Sequence, residues 1–114
     1  MRKIDIWMID SIIRQRASNT DALLSDGVVS TRDNTMVSTR IRYDGEKVTN
    51  IYLHGNMIAS YSMGNWGFTL HGWTTPTTKN RINALANHWG QPGVFQKKGK
   101  LFSGEKEINE FDWF

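Results

Sequence analysis

The amino-acid sequence reads as an α+β domain: an antiparallel β-meander with one amphipathic helix packed on it, plus an N-terminal helical segment and a C-terminal hairpin. Three observations lead there. Between residues 36 and 71, four short β-branched or aromatic runs alternate with glycine-containing turns. Between 76 and 89, apolar residues recur at helical spacing. A length of 114 residues, 39% of them apolar and none cysteine, suits one core built without disulfides or thiolate metal sites. Residues 1–114 are therefore one domain.

Residues 1–27 form the helical N-terminal segment. Ile6, Ile9, Ile12 and Ile13 make an apolar stripe with Arg14 and Arg16 behind it, and ASNTDALLSDG supplies a second short helix before Gly27. The stripe packs on Ile51, Leu53 and Ile58 of the meander or, alternatively, forms a homodimer interface. Charges at positions 2, 3, 5 and 10 interrupt any signal-peptide core, and no run reaches membrane length, so no membrane partner is expected.

The meander covers residues 36–71, with strands at 36–43, 47–54, 56–63 and 65–71. Asp44-Gly45 and Gly55-Asn56 read as two-residue turns, because such turns need positive φ at both central positions. That register pairs Arg42 with Lys47 and Leu53 with Ile58. Val37, Ile41, Val48, Tyr52, Ala59, Tyr61, Trp66, Phe68 and Leu70 then share a core face. Ser38, Arg40, Arg42, Lys47, Thr49, Ser60, Ser62, Thr69 and His71 share the other, around Ile51, Leu53 and Ile58.

The helix covers residues 76–89. Thr75 is a suitable N-cap, Pro76 has no N–H to leave unpaired in the first turn, and Gly90 stops the helix. Ile82, Leu85, Ala86 and Trp89 form its buried stripe. Residues 94–102, VFQKKGKLF, read as the hairpin, with Lys97, Lys98 and Lys100 at its tip. Residues 103–114 form a tail of alternating acids and aromatics.

Charge is unevenly distributed. Residues 1–46 hold seven acids and seven bases, residues 47–104 hold six bases and no acid, and residues 105–114 hold four acids and one base. A 58-residue span without an acid favours polyanion binding. The helix start concentrates that chemistry: Thr77 and Thr78 add hydroxyls to free backbone N–H groups at the positive end of the helix dipole, with Lys79 and Arg81 beside them. First turns usually carry Asp or Glu, and this one carries none. Arg40, Arg42, Lys97, Lys98 and Lys100 widen the footprint, and Trp73 is placed to stack a base.

Catalytic readings find little support. His54, His71 and His88 have no metal-ligand spacing, acids are missing from the middle of the chain, and no Gly-rich phosphate loop precedes a Lys-Ser/Thr pair. The expectation is no enzyme, no metal and no cofactor.

The segments IYLHGNMIA, GNWGFTLHGW and TTPTTKNRINAL together resemble a group of small tailed-bacteriophage proteins. The likeness spans about residues 36 to 95 and includes Leu53, His54, Gly55, Gly72, Trp73, Thr77, Thr78, Lys79, Arg81, Ile82 and Asn83. It implies a phage origin and the cytoplasm of the bacterial host as workplace, and it carries over no catalytic residue. The tail is similar to the acidic, aromatic-ended tails with which single-strand-binding proteins recruit partners, which makes Phe111, Asp112, Trp113 and Phe114 docking candidates; packing into a groove is the other role open to them.

The expected function is non-catalytic nucleic-acid binding, with DNA preferred to RNA. The alternative is a protein-binding inhibitor or modulator of a host enzyme or defence system. Six phosphate contacts would give a log–log salt slope on the order of −5, and Lys79→Glu with Arg81→Glu is expected to abolish binding with the fold intact.

Overall fold

A computed structural model describes residues 2–24 and 27–114. Met1, Ser25 and Asp26, which belong to the expected N-terminal helical segment, lie outside the described residues. That segment contains α1 (Lys3–Arg16) and α2 (Thr20–Leu24). A five-stranded antiparallel sheet follows in chain order: β1 (Val28–Arg32), β2 (Thr35–Ile41), β3 (Lys47–Leu53), β4 (Asn56–Ser62) and β5 (Asn65–Phe68). Helix α3 (Pro76–His88) precedes a second sheet of β6 (Phe95–Lys97), β7 (Lys100–Ser103) and β8 (Lys106–Ile108). The α+β meander is therefore as expected, with one added strand at each end: β1 at the edge of the meander and β8 beside the hairpin.

The register differs from expectation at both turns, through a longer loop at the first and a two-residue turn displaced by one residue at the second. Arg42 N–H donates to Glu46 O and Gly45 N–H to Arg42 O, both at 2.9 Å, while Gly45 takes φ +87°. This is a type I turn followed by a left-handed glycine, which holds one residue more than a two-residue turn. Arg40 consequently faces Val48, and Thr49 faces Thr39. The next turn centres on His54 and Gly55, at φ +51° and +82°, with Leu53 opposite Asn56. A bulge near Ile58 then restores the alternation, so Ile51 faces Ala59 and Thr49 faces Tyr61.

These shifts invert β3 alone. Ile51 and Leu53 point into the core, and Val48 and Tyr52 take the outer face, opposite to expectation. Strands β2, β4 and β5 keep the expected sides, with Val37, Ala59, Trp66 and Phe68 buried, except at Ile58, which the bulge brings from the expected outer face into the core beside Ala59.

Both long helices cover this one face. Met8, Ile9 and Ile12 of α1 and Ile82, Leu85 and Ala86 of α3 join Val37, Ile51, Leu53, Ile58 and Phe68 in a single cluster. The α1 stripe is rotated from the isoleucine pattern: Ile6 and Ile13 are exposed, whereas Asp5 and Gln15 are buried. The reason is polar pairing. Gln15 donates to Val37 O at 2.9 Å and Ser30 Oγ at 3.0 Å and accepts from Thr39 at 2.9 Å; Thr39 in turn shares a 2.8 Å hydrogen bond with Thr49. Buried polar groups with partners cost little to bury, so two threonines occupy positions that a hydrophobic pattern assigns to aliphatics. Aromatics fill the other end of the core, where Trp66 stacks on Tyr61 with centroids at 4.8 Å and meets Trp89 edge-on at 5.2 Å.

Candidate nucleic-acid interface

The helix start is capped as expected. Thr75 Oγ1 accepts the Thr78 N–H at 3.3 Å and shares a 3.0 Å hydrogen bond with the Thr78 hydroxyl, while Lys79 N–H donates to Thr75 O. Pro76 has no N–H, so Thr77 carries the first-turn donor that the cap leaves unused. The cap thus consumes most of the donors expected to face phosphate. Thr78, only 1% exposed, is corrected from surface ligand to buried capping partner.

Arg81 is corrected likewise. It is 5% exposed and points inward, donating to Asp5 Oδ1 at 3.2 Å and to Thr35 Oγ1 at 3.3 Å. The guanidinium ties α3 to α1 and β2 and presents no face to a polyanion.

Arg40 and Arg42 stand apart from the helix start. Arg42 lies beyond the Lys47 end of β3, whereas the helix start lies near Leu53 and His54 at its other end, roughly 20 Å away at strand rise. Arg42 also pairs with Asp44 at 3.1 Å. The Asp44 carboxyl is held below the usual carboxylate range, first by the Glu46 backbone N–H and then, against slight desolvation, by the Arg42 charge. No single footprint joins these arginines to the lysines.

The lysines do converge around the second sheet. Asn83 of α3 accepts from Val94 N–H at 2.7 Å and donates to Val94 O at 2.9 Å, anchoring the strand that leads into β6. Gly93 makes that clamp possible, since a Cβ there would collide with the Asn83 carboxamide. Lys79 Nζ then donates to Gln96 Oε1 at 3.0 Å. Across β6 and β7, Phe95 faces Phe102, Gln96 faces Leu101, and Lys97 faces Lys100. Strand alternation places Phe95, Lys97, Lys100 and Phe102 on one side, with Leu101 and Ile108 buried on the other. The two phenylalanine rings stack at 5.5 Å and 18°. Lys98 and Gly99 form the turn at φ +52° and +78°, and Glu107 approaches Lys100 at 3.9 Å.

Phe95 and Phe102 are missing from the sequence-based site, although the signal is present. FQKKGKLF is nearly palindromic about its turn, and a two-residue turn necessarily puts each Phe and its Lys neighbour on the same side.

Trp73, 54% exposed, forms one wall of a pocket of about 170 Å³ between the helix start and the β3–β4 turn. Leu53 and Ile58 line it, with His54, Asn56 and Thr77 among its polar groups. The tail packs against the protein. Phe114 exchanges two 2.8 Å backbone hydrogen bonds with Phe68, Phe111 covers Gly72, and Trp113 lies on Gly67. Asp112 accepts the Asn109 N–H at 3.0 Å.

The architecture is a small α+β domain whose meander, covered on one face by helices, carries a basic, aromatic hairpin sheet. A family model described as Kyanoviridae Gp96 protein matches residues 1–114, and the chain belongs to that bacteriophage protein family. No curated protein and no solved structure matches the chain. No described helix is long and apolar enough to cross a membrane.

Proposed function

We propose that this phage protein is a non-catalytic nucleic-acid-binding protein acting in the cytoplasm of the infected host, and that its principal contact face is the outer side of β6 and β7. The observation behind this reading is the stacked Phe95–Phe102 pair bordered by Lys97 opposite Lys100. Like charges directly opposite each other weaken a sheet, and Lys98 adds a third cation at the turn. Bound phosphates relieve that repulsion. Exposed aromatic faces accept unstacked bases at about 1–3 kcal/mol each, so single strands suit the face better than duplex. DNA is the first ligand to test, with RNA as the comparison.

Fluorescence anisotropy of labelled single- and double-stranded DNA and RNA at about 50 and 200 mM salt tests the reading. Saturable binding with a log–log slope of about −2 is expected, since three lysines on a single strand contribute roughly −0.7 each. This replaces the steeper dependence expected of six contacts. No binding at the lower salt would refute the proposal. The alternative, a protein-binding modulator of a host enzyme or defence system, is supported by the exposed rings of Phe111 and Trp113. Pull-down from host lysate is its test.

A further inference from the structure

The geometry points to the outer face of the five-stranded sheet, the side away from α1 and α3, as an interface with a second copy of this chain, the two faces packed on each other about a two-fold axis along β3. This surface is separate from the lysine hairpin and from the exposed isoleucines of α1, and it stands whether or not the hairpin binds nucleic acid.

Strand alternation and the observed register define the face as three rows of side chains. Met36, Tyr52 and Met57 stand side by side in the first. Val29, Ser38, Asn50, Ser60 and Gly67 follow one another across the second. Arg40 and Val48 pair in the third, and Ser62, two residues on from Ser60, continues it on β4. Gly67 has no side chain, and the Trp113 ring lies over it, so the second row ends in an indole. That ring is 52% exposed, and Val29 at the other end of the row is 54% exposed.

Composition selects a protein partner. The outward positions of the five strands hold one arginine and no lysine, aspartate or glutamate, in a chain with 25 charged residues among 114. Protein interfaces favour Tyr, Trp, Met and Arg and are depleted in Lys, Glu and Asp, whereas a single cation gives a polyanion little to hold.

The pattern of the rows selects a second copy. A two-fold axis along β3 lays β2 over the β4 of the other copy, β1 over its β5, and β3 over its own equivalent. Met36 then meets Met57, Ser38 meets Ser60, and Val29 meets Trp113. Tyr52, Asn50 and Val48 each meet themselves. Apolar groups fall on apolar groups and polar groups on polar ones, and Arg40 meets Ser62, so the one charge never faces its own copy. Aligned sheets pack about 10 Å apart in this way. Strands about 4.8 Å apart, with outward residues about 6.8 Å apart along each, give the face roughly 500 Å². Two copies bury about 1,000 Å², the lower limit for a specific interface.

Sedimentation equilibrium of the full chain from about 1 μM to 1 mM covers the dissociation constants open to an interface of that size. Wild type is expected to pass from monomer to dimer across the range. Tyr52→Glu and Tyr52→Lys each oppose like charges on the axis and are expected to stay monomeric, while an equal mixture of the two is expected to recover a dimer with one of each. Ser38→Glu with Ser60→Glu is expected to be monomeric with unchanged circular dichroism. Ser38→Glu with Ser60→Lys alters the same two positions but opposes unlike charges, and it is expected to dimerise, less well at high salt. The serine variants touch only partly exposed polar positions, so they decide the matter if a charge at Tyr52 prevents folding. A wild type that stays monomeric at about 1 mM overturns the proposal, as do Tyr52 variants and a doubly acidic serine variant that associate like wild type. Loss of association that neither charge-paired combination restores shows that the faces do not meet about β3 and overturns it as well.

Discussion

Arg81 of α3 and Asp5 of α1 stand 76 positions apart in the chain and form an ion pair at 3.2 Å with both side chains buried. Removing one member of such a pair strands a charge in the core, which costs about 3–5 kcal/mol. Asp5→Ala and Arg81→Met are therefore each expected to lower the urea midpoint strongly, whereas Asp5→Leu combined with Arg81→Met recovers much of the loss. A double variant destabilised by the sum of the two single losses would show that the pair is not coupled. Arg81→Glu is consequently a folding variant, and pairing it with Lys79→Glu does not isolate a phosphate contact as the sequence alone suggests.

The Asn83 clamp sets the position of the hairpin sheet. Asn83→Ala leaves the Val94 N–H and C=O without their side-chain partner, a loss of about 1–3 kcal/mol for buried groups. Faster amide exchange at Val94 and weaker nucleic-acid binding are expected together. Gly93→Ala should reproduce both effects, because the added methyl group occupies the place of the carboxamide oxygen.

The lysine face predicts a charge effect separable from folding. Lys97→Glu with Lys100→Glu exchanges one repulsive cross-strand pair for another and turns the exposed Lys100–Glu107 contact repulsive as well, an effect of under about 1 kcal/mol, so the thermal midpoint should move little. Binding at about 50 mM salt should fall at least tenfold and the salt slope should flatten by about 1.4, two contacts at roughly 0.7 each. Anisotropy measured beside circular dichroism checks both halves.

Packing of the tail predicts a stability cost. Phe114 is half-buried with its ring 6.0 Å from Phe68, and Phe114→Ala is expected to destabilise by about 1–3 kcal/mol, below the range for a fully buried aromatic. Urea denaturation gives the value. An unchanged midpoint, with loss of a captured partner, would instead favour the docking role.

Much of the fold was legible because its signals are local. Thr75-Pro76 and the Ile82, Leu85, Ala86 and Trp89 stripe define α3, and glycine turns divide the strands of the meander. The face of β3 was not legible: Asp44-Gly45 suits both a two-residue turn and the longer one with a left-handed glycine, and only packing selects between them. β1 was missed because VVSTR places a polar residue, Ser30, on its inward side, where Gln15 satisfies it. The site was legible in proportion to how local its partners are. Phe95, Lys97, Lys100 and Phe102 follow from one turn, while the fate of Arg81 depends on an acid 76 residues away.

Strand order in the meander equals chain order, each strand pairing with its predecessor. Such neighbour-to-neighbour contacts close with little loop entropy and form early. Helix α1 is different: it is synthesised before α3, yet its buried acid pairs with Arg81, which lies on α3. Refolding followed by pulsed hydrogen exchange should therefore protect β2, β3 and β4 before α1, making the helix that precedes the sheet the last part of the molecule to lock.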